Sequence, residues 1–163
     1  MTEVNKIILS ATVRAKIDKW LQRYPAEYKR SGVMEALRYV QEERGWLTEA
    51  WMDAVADYLG MPKIAVYEIA TFYTLYHRQP VGRHIVSVCS NISCMLRGSE
   101  EVLAHLKKRL GVQVNGTTQD GKVTLKEVEC LGACVGAPMF QVDKDYHEHL
   151  TPEKIDAILA SLE

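Results

Sequence analysis

Four cysteines in two widely separated pairs constrain this chain more than any other feature of its sequence. Cys89 and Cys94 enclose four residues, thirty-five residues follow, and Cys130 and Cys134 enclose three. Each pair comes at the end of a predicted strand, in a loop of small and turn-forming residues: CSNISC in the first and CLGACVGAP in the second. Loops at strand ends are where a rigid scaffold presents ligands. The spacing therefore predicts two neighbouring loops that each present a pair of thiols.

Three kinds of site are compatible with these pairs. Two pairs of thiolates suit a 2Fe-2S cluster, because each of its irons requires two such ligands. A tetrahedral zinc site is an alternative, although zinc knuckles usually use C-x-x-C pairs and neither pair has that spacing. The third possibility is that the cysteines are unligated thiols in the core. A thioredoxin-type redox dithiol is disfavoured, because the sequence contains no C-x-x-C. In a cluster, Gly132 and Gly136 would allow close backbone approach and direct N–H groups at sulfur.

Composition excludes several classes of function. Lys and Arg number 20 against 21 Asp and Glu, so no single-sign field is available to drive nucleic-acid binding. No apolar run approaches the roughly 20 residues that cross a bilayer, and the start, MTEVNKIILS, has neither a secretory apolar region nor an organelle presequence. We therefore expect a soluble cytoplasmic protein, and a reducing cytosol favours metal binding or redox chemistry over two disulfides.

The pattern of apolar residues divides the chain near Pro80. Residues 1–80 carry four short helical stripes, which predict a small helical bundle. Thr48 is a predicted N-cap, Gly60 a predicted helix end, and Pro62 opens a fourth segment rich in aromatic residues. In residues 81–163 the spacing of apolar residues is no longer purely helical, which predicts an α/β sandwich. Its predicted strands lie at 84–89, 123–130, 139–143 and in DYHEHL, and its predicted helices at 99–110 and after Thr151.

Three segments together identify a family. YEIATFYTLYHRQPVGRH, VCSNISCMLRGSEEVL and TTQDGKVTLKEVECLGACVGAP resemble the thioredoxin-like 2Fe-2S ferredoxin family, and within it the 24 kDa (E) subunits of respiratory complex I, the NADH-quinone oxidoreductase. The resemblance covers nearly the whole chain. It implies a fold of the α+β or α/β class, with a four-helix bundle at 1–80 followed by a thioredoxin-like domain at 81–163. It also implies that one 2Fe-2S cluster is bound by Cys89, Cys94, Cys130 and Cys134.

The resemblance further implies a function. It points to an electron-transfer subunit whose cluster lies close to a flavoprotein subunit that binds FMN and NADH, and through it to the rest of the peripheral arm. No catalytic residue and no Gly-rich dinucleotide fingerprint is found here, so the chain would be part of an enzyme without a complete active site. Alternatives are the equivalent subunit of an NAD-linked hydrogenase or formate dehydrogenase, and a zinc-stabilised interaction module. The expected location is peripheral, on the cytoplasmic face of the bacterial inner membrane, without insertion.

We expect part of one aromatic segment, together with the cysteine loops, to face or flank the contact with that flavoprotein. Tyr67, Phe72, Tyr73 and Tyr76 lie between the predicted bundle and the first strand. Such amphipathic side chains are favoured in interface cores. The alternative interpretation is that they close the core of their own bundle.

Overall fold

The computed structural model describes residues 7–162. The chain forms two compact units, Met1–Pro80 and Val81–Glu163. Seven α-helices, two 3-10 helices and one four-stranded sheet are present in the described part. Four of the α-helices belong to the first unit, and three belong to the second together with the sheet. The expected mixed α/β content is therefore confirmed.

All the regular secondary structure in the described residues of the first unit is helical. Its elements are α1 (Ala11–Leu21), a 3-10 helix (Ala26–Gly32), α2 (Val33–Arg44), α3 (Glu49–Leu59) and α4 (Lys63–Phe72). The Thr48 hydroxyl accepts a hydrogen bond from the Trp51 N–H at 3.2 Å, which caps α3 as predicted. Gly60 ends that helix in the left-handed conformation, with φ of 66°.

One apolar core serves the four helices of this unit. Its fully buried side chains include Ile17 of α1, Leu37 of α2, Val55 of α3 and Val66 of α4. Burial of one stripe per helix is what the helical period of the sequence predicts. The 3-10 helix is absent from that prediction, because its short turns carry no apolar period of their own.

The second unit is built on a mixed sheet. Its elements are β1 (His84–Cys89), α5 (Ile92–Met95), α6 (Ser99–Leu110), β2 (Val123–Val128), a 3-10 helix (Cys134–Gly136), β3 (Phe140–Val142), β4 (Asp145–His147) and α7 (Pro152–Ser161). The strand order is β2-β1-β3-β4. β1 is parallel to β2 and antiparallel to β3, and β3 is antiparallel to β4. β1 is thus the central strand against which both cysteine-bearing segments are positioned.

The core of the second unit lies between this sheet and its two longer helices. Val86 and Val88 of β1, Phe140 of β3, Leu106 of α6 and Ile155 of α7 pack together and are almost completely buried. Val86 and Val88 alternate along β1, so they share one face of the sheet. The crossover between β1 and β2 runs through α6, as a parallel pair requires.

The predicted boundaries hold well for the long elements and less well for the short ones. β1 and α6 have the bounds that the sequence predicted, and α7 begins after Thr151 as expected. β2 ends at Val128, so Cys130 lies in the loop two residues beyond the strand. Within residues 7–162 no helix is long and apolar enough to cross a membrane.

Candidate metal centre

The first cysteine pair is buried. Cys89 is the last residue of β1 and Cys94 lies in α5, and their exposed fractions are 3% and 1%. The Asn91 side chain accepts a hydrogen bond from the Ile92 N–H at 2.9 Å, which starts α5 directly after the strand. This tight turn returns Cys94 to Cys89, and their side chains are hydrogen-bonded to each other. Ala137 and Met139 complete the apolar surroundings of the pair.

The second pair is exposed. Cys130 follows β2, and Cys134 begins the 3-10 helix Cys134–Gly136. Val135, next to Cys134, is 94% exposed. One thiol pair therefore lies inside the unit and the other at its surface.

Strand pairing brings the two pairs to the same end of the sheet. Cys89 is opposite Val128 in the parallel register of β1 and β2, so both strands end at the same level. The Ser90 N–H donates to the Val128 carbonyl at 3.1 Å, which continues the pairing past the strands. The Cys89 thiol donates to the carbonyl of Glu129, the neighbour of Cys130, at 4.0 Å. The predicted arrangement of two neighbouring loops is thus observed.

The four thiols form two pairs on two loops, Cys89 with Cys94 and Cys130 with Cys134. Among residues 7–162, no group of three or more His, Cys, Asp or Glu side chains converges on a single metal-ion position. A tetrahedral zinc site needs four ligands around one ion, whereas a 2Fe-2S cluster spreads its ligands over two irons. Two pairs of thiols match in number the two ligands that each iron of such a cluster requires.

A backbone donor is directed at one of these sulfurs. The Gly132 N–H donates to the Cys130 Sγ at 3.3 Å, with Gly132 at φ of 75°, a conformation that favours glycine. The prediction that the Gly136 N–H is also directed at a sulfur is wrong. Its N–H donates to the Ala133 carbonyl at 3.0 Å, and its lack of a side chain instead leaves room for Glu148.

Two supports of the second loop are not predictable from the sequence pattern. The Tyr146 hydroxyl donates to the Leu131 carbonyl at 2.5 Å, and the His149 N–H donates to the Gly136 carbonyl at 2.7 Å. Both donors belong to the segment DYHEHL, for which the sequence predicts only a strand. No local pattern connects residues thirteen or fifteen positions apart, so these contacts become visible only in the folded chain.

Burial has an electrostatic consequence for the inner pair. Removal from water raises the pKa of the Cys94 thiol to about 11, and the hydrogen bond with Cys89 adds to the rise. A backbone hydrogen bond from Met139 acts in the opposite direction. The Cys94 thiol is thus expected to react slowly at neutral pH, because the thiolate is the nucleophilic form.

Comparison with known proteins decides the family. The model of the thioredoxin-like 2Fe-2S ferredoxins matches residues 17–163. The chain belongs to this family. Its membership confirms the resemblance seen in the sequence and the prediction of a 2Fe-2S cluster.

Relatives in this family resemble the chain along most of its length. An E-type subunit, numbered 2, of the NADH-quinone oxidoreductase of Rhizobium meliloti is 47% identical over 92% of this chain and 88% of its own. The E-type NADH-quinone oxidoreductase subunit of Rickettsia bellii is 43% identical over 87% of this chain and 86% of its own length. The mitochondrial NADH dehydrogenase [ubiquinone] flavoprotein 2 of Dictyostelium discoideum is 44% identical over 83% of this chain and 56% of its own length.

A solved structure supports the fold alone. The NAD+-reducing NiFe-hydrogenase in its H2-reduced state matches with a TM-score of 0.65 at 18% identity. The match covers 77% of this chain and 22% of the hydrogenase chain.

The contrast between the thiol pairs predicts their reactivity. In the iron-free protein at pH 8, iodoacetamide should modify Cys130 and Cys134 well before Cys94, because at a pKa of about 11 roughly one Cys94 thiol in a thousand is ionised. Raising the pH to 10 should accelerate Cys94 about a hundredfold, since its thiolate fraction grows tenfold per pH unit below the pKa. Peptide mapping by mass spectrometry follows each site.

The denatured chain in urea is the control, and there all four thiols should react at similar rates. Equal rates for Cys94 and Cys130 in the folded protein would contradict the burial of the inner pair.

Proposed function

We propose that this chain is the 2Fe-2S electron-transfer subunit, of the E type, of an NADH-quinone oxidoreductase. One observation carries the proposal: the two loops that contain the four cysteines follow two neighbouring parallel strands at the same end of the sheet. The chain is also 47% identical, over 92% of its length, to an E-type subunit of such an oxidoreductase. A 2Fe-2S cluster supplies a one-electron carrier. The chain is thus part of an enzyme, and no catalytic residue is assigned to it.

The four cysteines have complementary tasks in this proposal. Cys89 and Cys94 anchor the cluster from inside the unit, where Met139 and Ala137 exclude water. Cys130 and Cys134 hold it from the exposed side. Electron exchange then takes place on the side of the outer pair, because that side is open to a partner.

Replacing any one of the four cysteines by Ser should abolish or strongly reduce cluster binding, because each thiolate supplies one of four required bonds. We expect the Cys134→Ser protein to lose most of its iron, its acid-labile sulfide and its red-brown visible absorption. Iron and sulfide assays on the purified full-length chain provide the measurement.

His149→Asn is the matched control. His149 is an exposed potential metal ligand near the second loop, and Asn suits its positive φ of 50°. This variant should bind the cluster normally. Full iron and sulfide content in Cys134→Ser would refute the ligand assignment.

The partner in this proposal is a flavoprotein that binds FMN and NADH. A chain with a one-electron carrier needs a neighbour able to divide the two electrons of a hydride, and flavins do so. Part of the aromatic segment supports such a contact. Phe72 is 78% exposed, and its ring meets that of Tyr73 edge to face, with centroids 5.0 Å apart. Together with Ile69 these rings line an open apolar cavity of about 440 Å³.

The other two aromatic residues belong to the first unit itself. Tyr76 is 5% exposed and its hydroxyl donates to the Met34 carbonyl at 2.8 Å, so for this residue the alternative interpretation holds and it closes the core of its own unit. The Tyr67 hydroxyl donates to Asp53 at 2.5 Å. The proposed contact surface is therefore Phe72, Tyr73 and Ile69.

Phe72→Ser should weaken the complex with the flavoprotein by about thirtyfold or more, the effect of losing an aromatic anchor of an interface. Pull-down of the tagged chain from its native host, with NADH:ferricyanide activity as the readout, measures the recovered flavoprotein. Because Phe72 is exposed, the variant should fold and bind its cluster normally.

Tyr28→Ser is the control, since Tyr28 is also an exposed aromatic residue of the first unit, with 54% of its surface accessible. It should leave recovery unchanged. Equal recovery with Phe72→Ser and the unaltered chain would remove this surface from the proposal.

We also propose that residues 1–80 are a four-helix bundle and residues 81–163 a thioredoxin-like domain, each able to fold alone. The support is that each unit has its own buried core. A fragment that begins at Val81 should therefore bind iron with the visible spectrum of the full chain. A fragment that begins at Ser90 lacks β1 and should not. Failure of a well-folded Val81 fragment to bind iron would contradict the division.

The proposed location follows from the proposed complex. As a subunit of the peripheral arm, the chain would lie on the cytoplasmic face of the bacterial inner membrane without entering it.

A further inference from the structure

The peptide unit between Leu131 and Gly132 makes a hydrogen bond at each of its ends. Its N–H, from Gly132, donates to the Cys130 Sγ at 3.3 Å. Its carbonyl, from Leu131, accepts from the Tyr146 hydroxyl at 2.5 Å. A peptide unit is planar, so fixing the direction of its carbonyl also fixes the direction of its N–H.

On its glycine side this peptide unit has wide conformational freedom. Gly132 has no side chain and a φ of 75°, and a β-carbon built there would meet nothing within 4 Å. Glycine adopts positive and negative φ about equally readily. Nothing local to Gly132 therefore selects the orientation in which its N–H points at sulfur.

Tyr146 is in turn held by the sheet. It lies in β4, where it pairs with Gln141 of β3, and β3 pairs with the central strand. Its side chain is 50% exposed, so core packing does not account for it. The hydroxyl has the loop carbonyl as its partner and transmits the rigid position of β4 to the loop.

We propose that Tyr146 is a positioning residue that sets the reduction potential of the cluster through the Leu131–Gly132 peptide. The inference rests on the proposed function, because it takes Cys130 as a ligand. Hydrogen bonds to ligand sulfurs are one determinant of cluster potential, and they stabilise the more negative, reduced form. Donation by Tyr146 to the carbonyl also polarises the peptide and strengthens its N–H as a donor.

Tyr146→Phe tests this, because it keeps the ring and removes only the hydroxyl. We expect normal iron and sulfide content and a lower midpoint potential in an EPR-monitored redox titration of the full-length, cluster-loaded chain. The expected effect is about a tenfold shift of the one-electron equilibrium against the reduced form, which corresponds to about 59 mV. If loading is incomplete, the loaded fraction still reports its own potential.

Tyr58→Phe is the matched control. It removes a phenol hydroxyl that donates to Asp18 at 2.6 Å in the first unit, so it should leave the potential unchanged. An unchanged potential in Tyr146→Phe, with or without faster loss of iron to a chelator, would overturn the inference and leave the proposed function standing. An equal fall in both variants would overturn it as well. An unaltered chain that binds no cluster would overturn both proposals.

Discussion

The parallel pairing of β1 and β2 is the interaction on which the cysteine site depends. Cys89 and Cys130 are far apart in the sequence, and only the register that places Cys89 opposite Val128 brings their loops together. A shift of this register by one residue would reverse the faces of β2 relative to its neighbours and bury polar side chains. The same apolar residues that hold α6 on the sheet therefore also define the geometry of the thiols.

The two loops are stabilised by different means. The first closes on itself within six residues and buries both of its thiols, so packing stabilises it together with the Asn91 cap of α5. The second exposes both of its thiols, while its Leu131 and Ala133 are only partly buried against the apolar cluster around Cys89 and Cys94. Hydrogen bonds from Tyr146 and His149 hold it as well. A loop that is largely exposed needs such directional contacts to keep one geometry, since packing covers only part of it.

The sequence predicted what has a local signal. β1 alternates, α6 carries a full apolar stripe, and Thr48 and Gly60 have the chemistry of helix ends, so these elements were located correctly. α5 and both 3-10 helices are too short to show a period. The pairing of thiols followed from spacing, whereas their unequal burial did not. For Tyr76 the sequence leaves both roles open, because an amphipathic aromatic residue suits a core and an interface equally well, and its burial and hydrogen bond to Met34 distinguish them.

The last strand shows how a peripheral element can act on the site. β4 is the edge strand farthest from β2, and its residues do not belong to the cysteine loops. After β2 the chain forms the second cysteine loop, continues into β3 and then turns into β4. This path allows Tyr146 of β4 to contact the loop that follows β2. The segment after it then runs past Gly136, where the absence of a side chain makes space for Glu148. β4 and the residues after it thus contact the second loop at two points, the Leu131 and Gly136 carbonyls, although neither β3 nor β4 contains a cysteine.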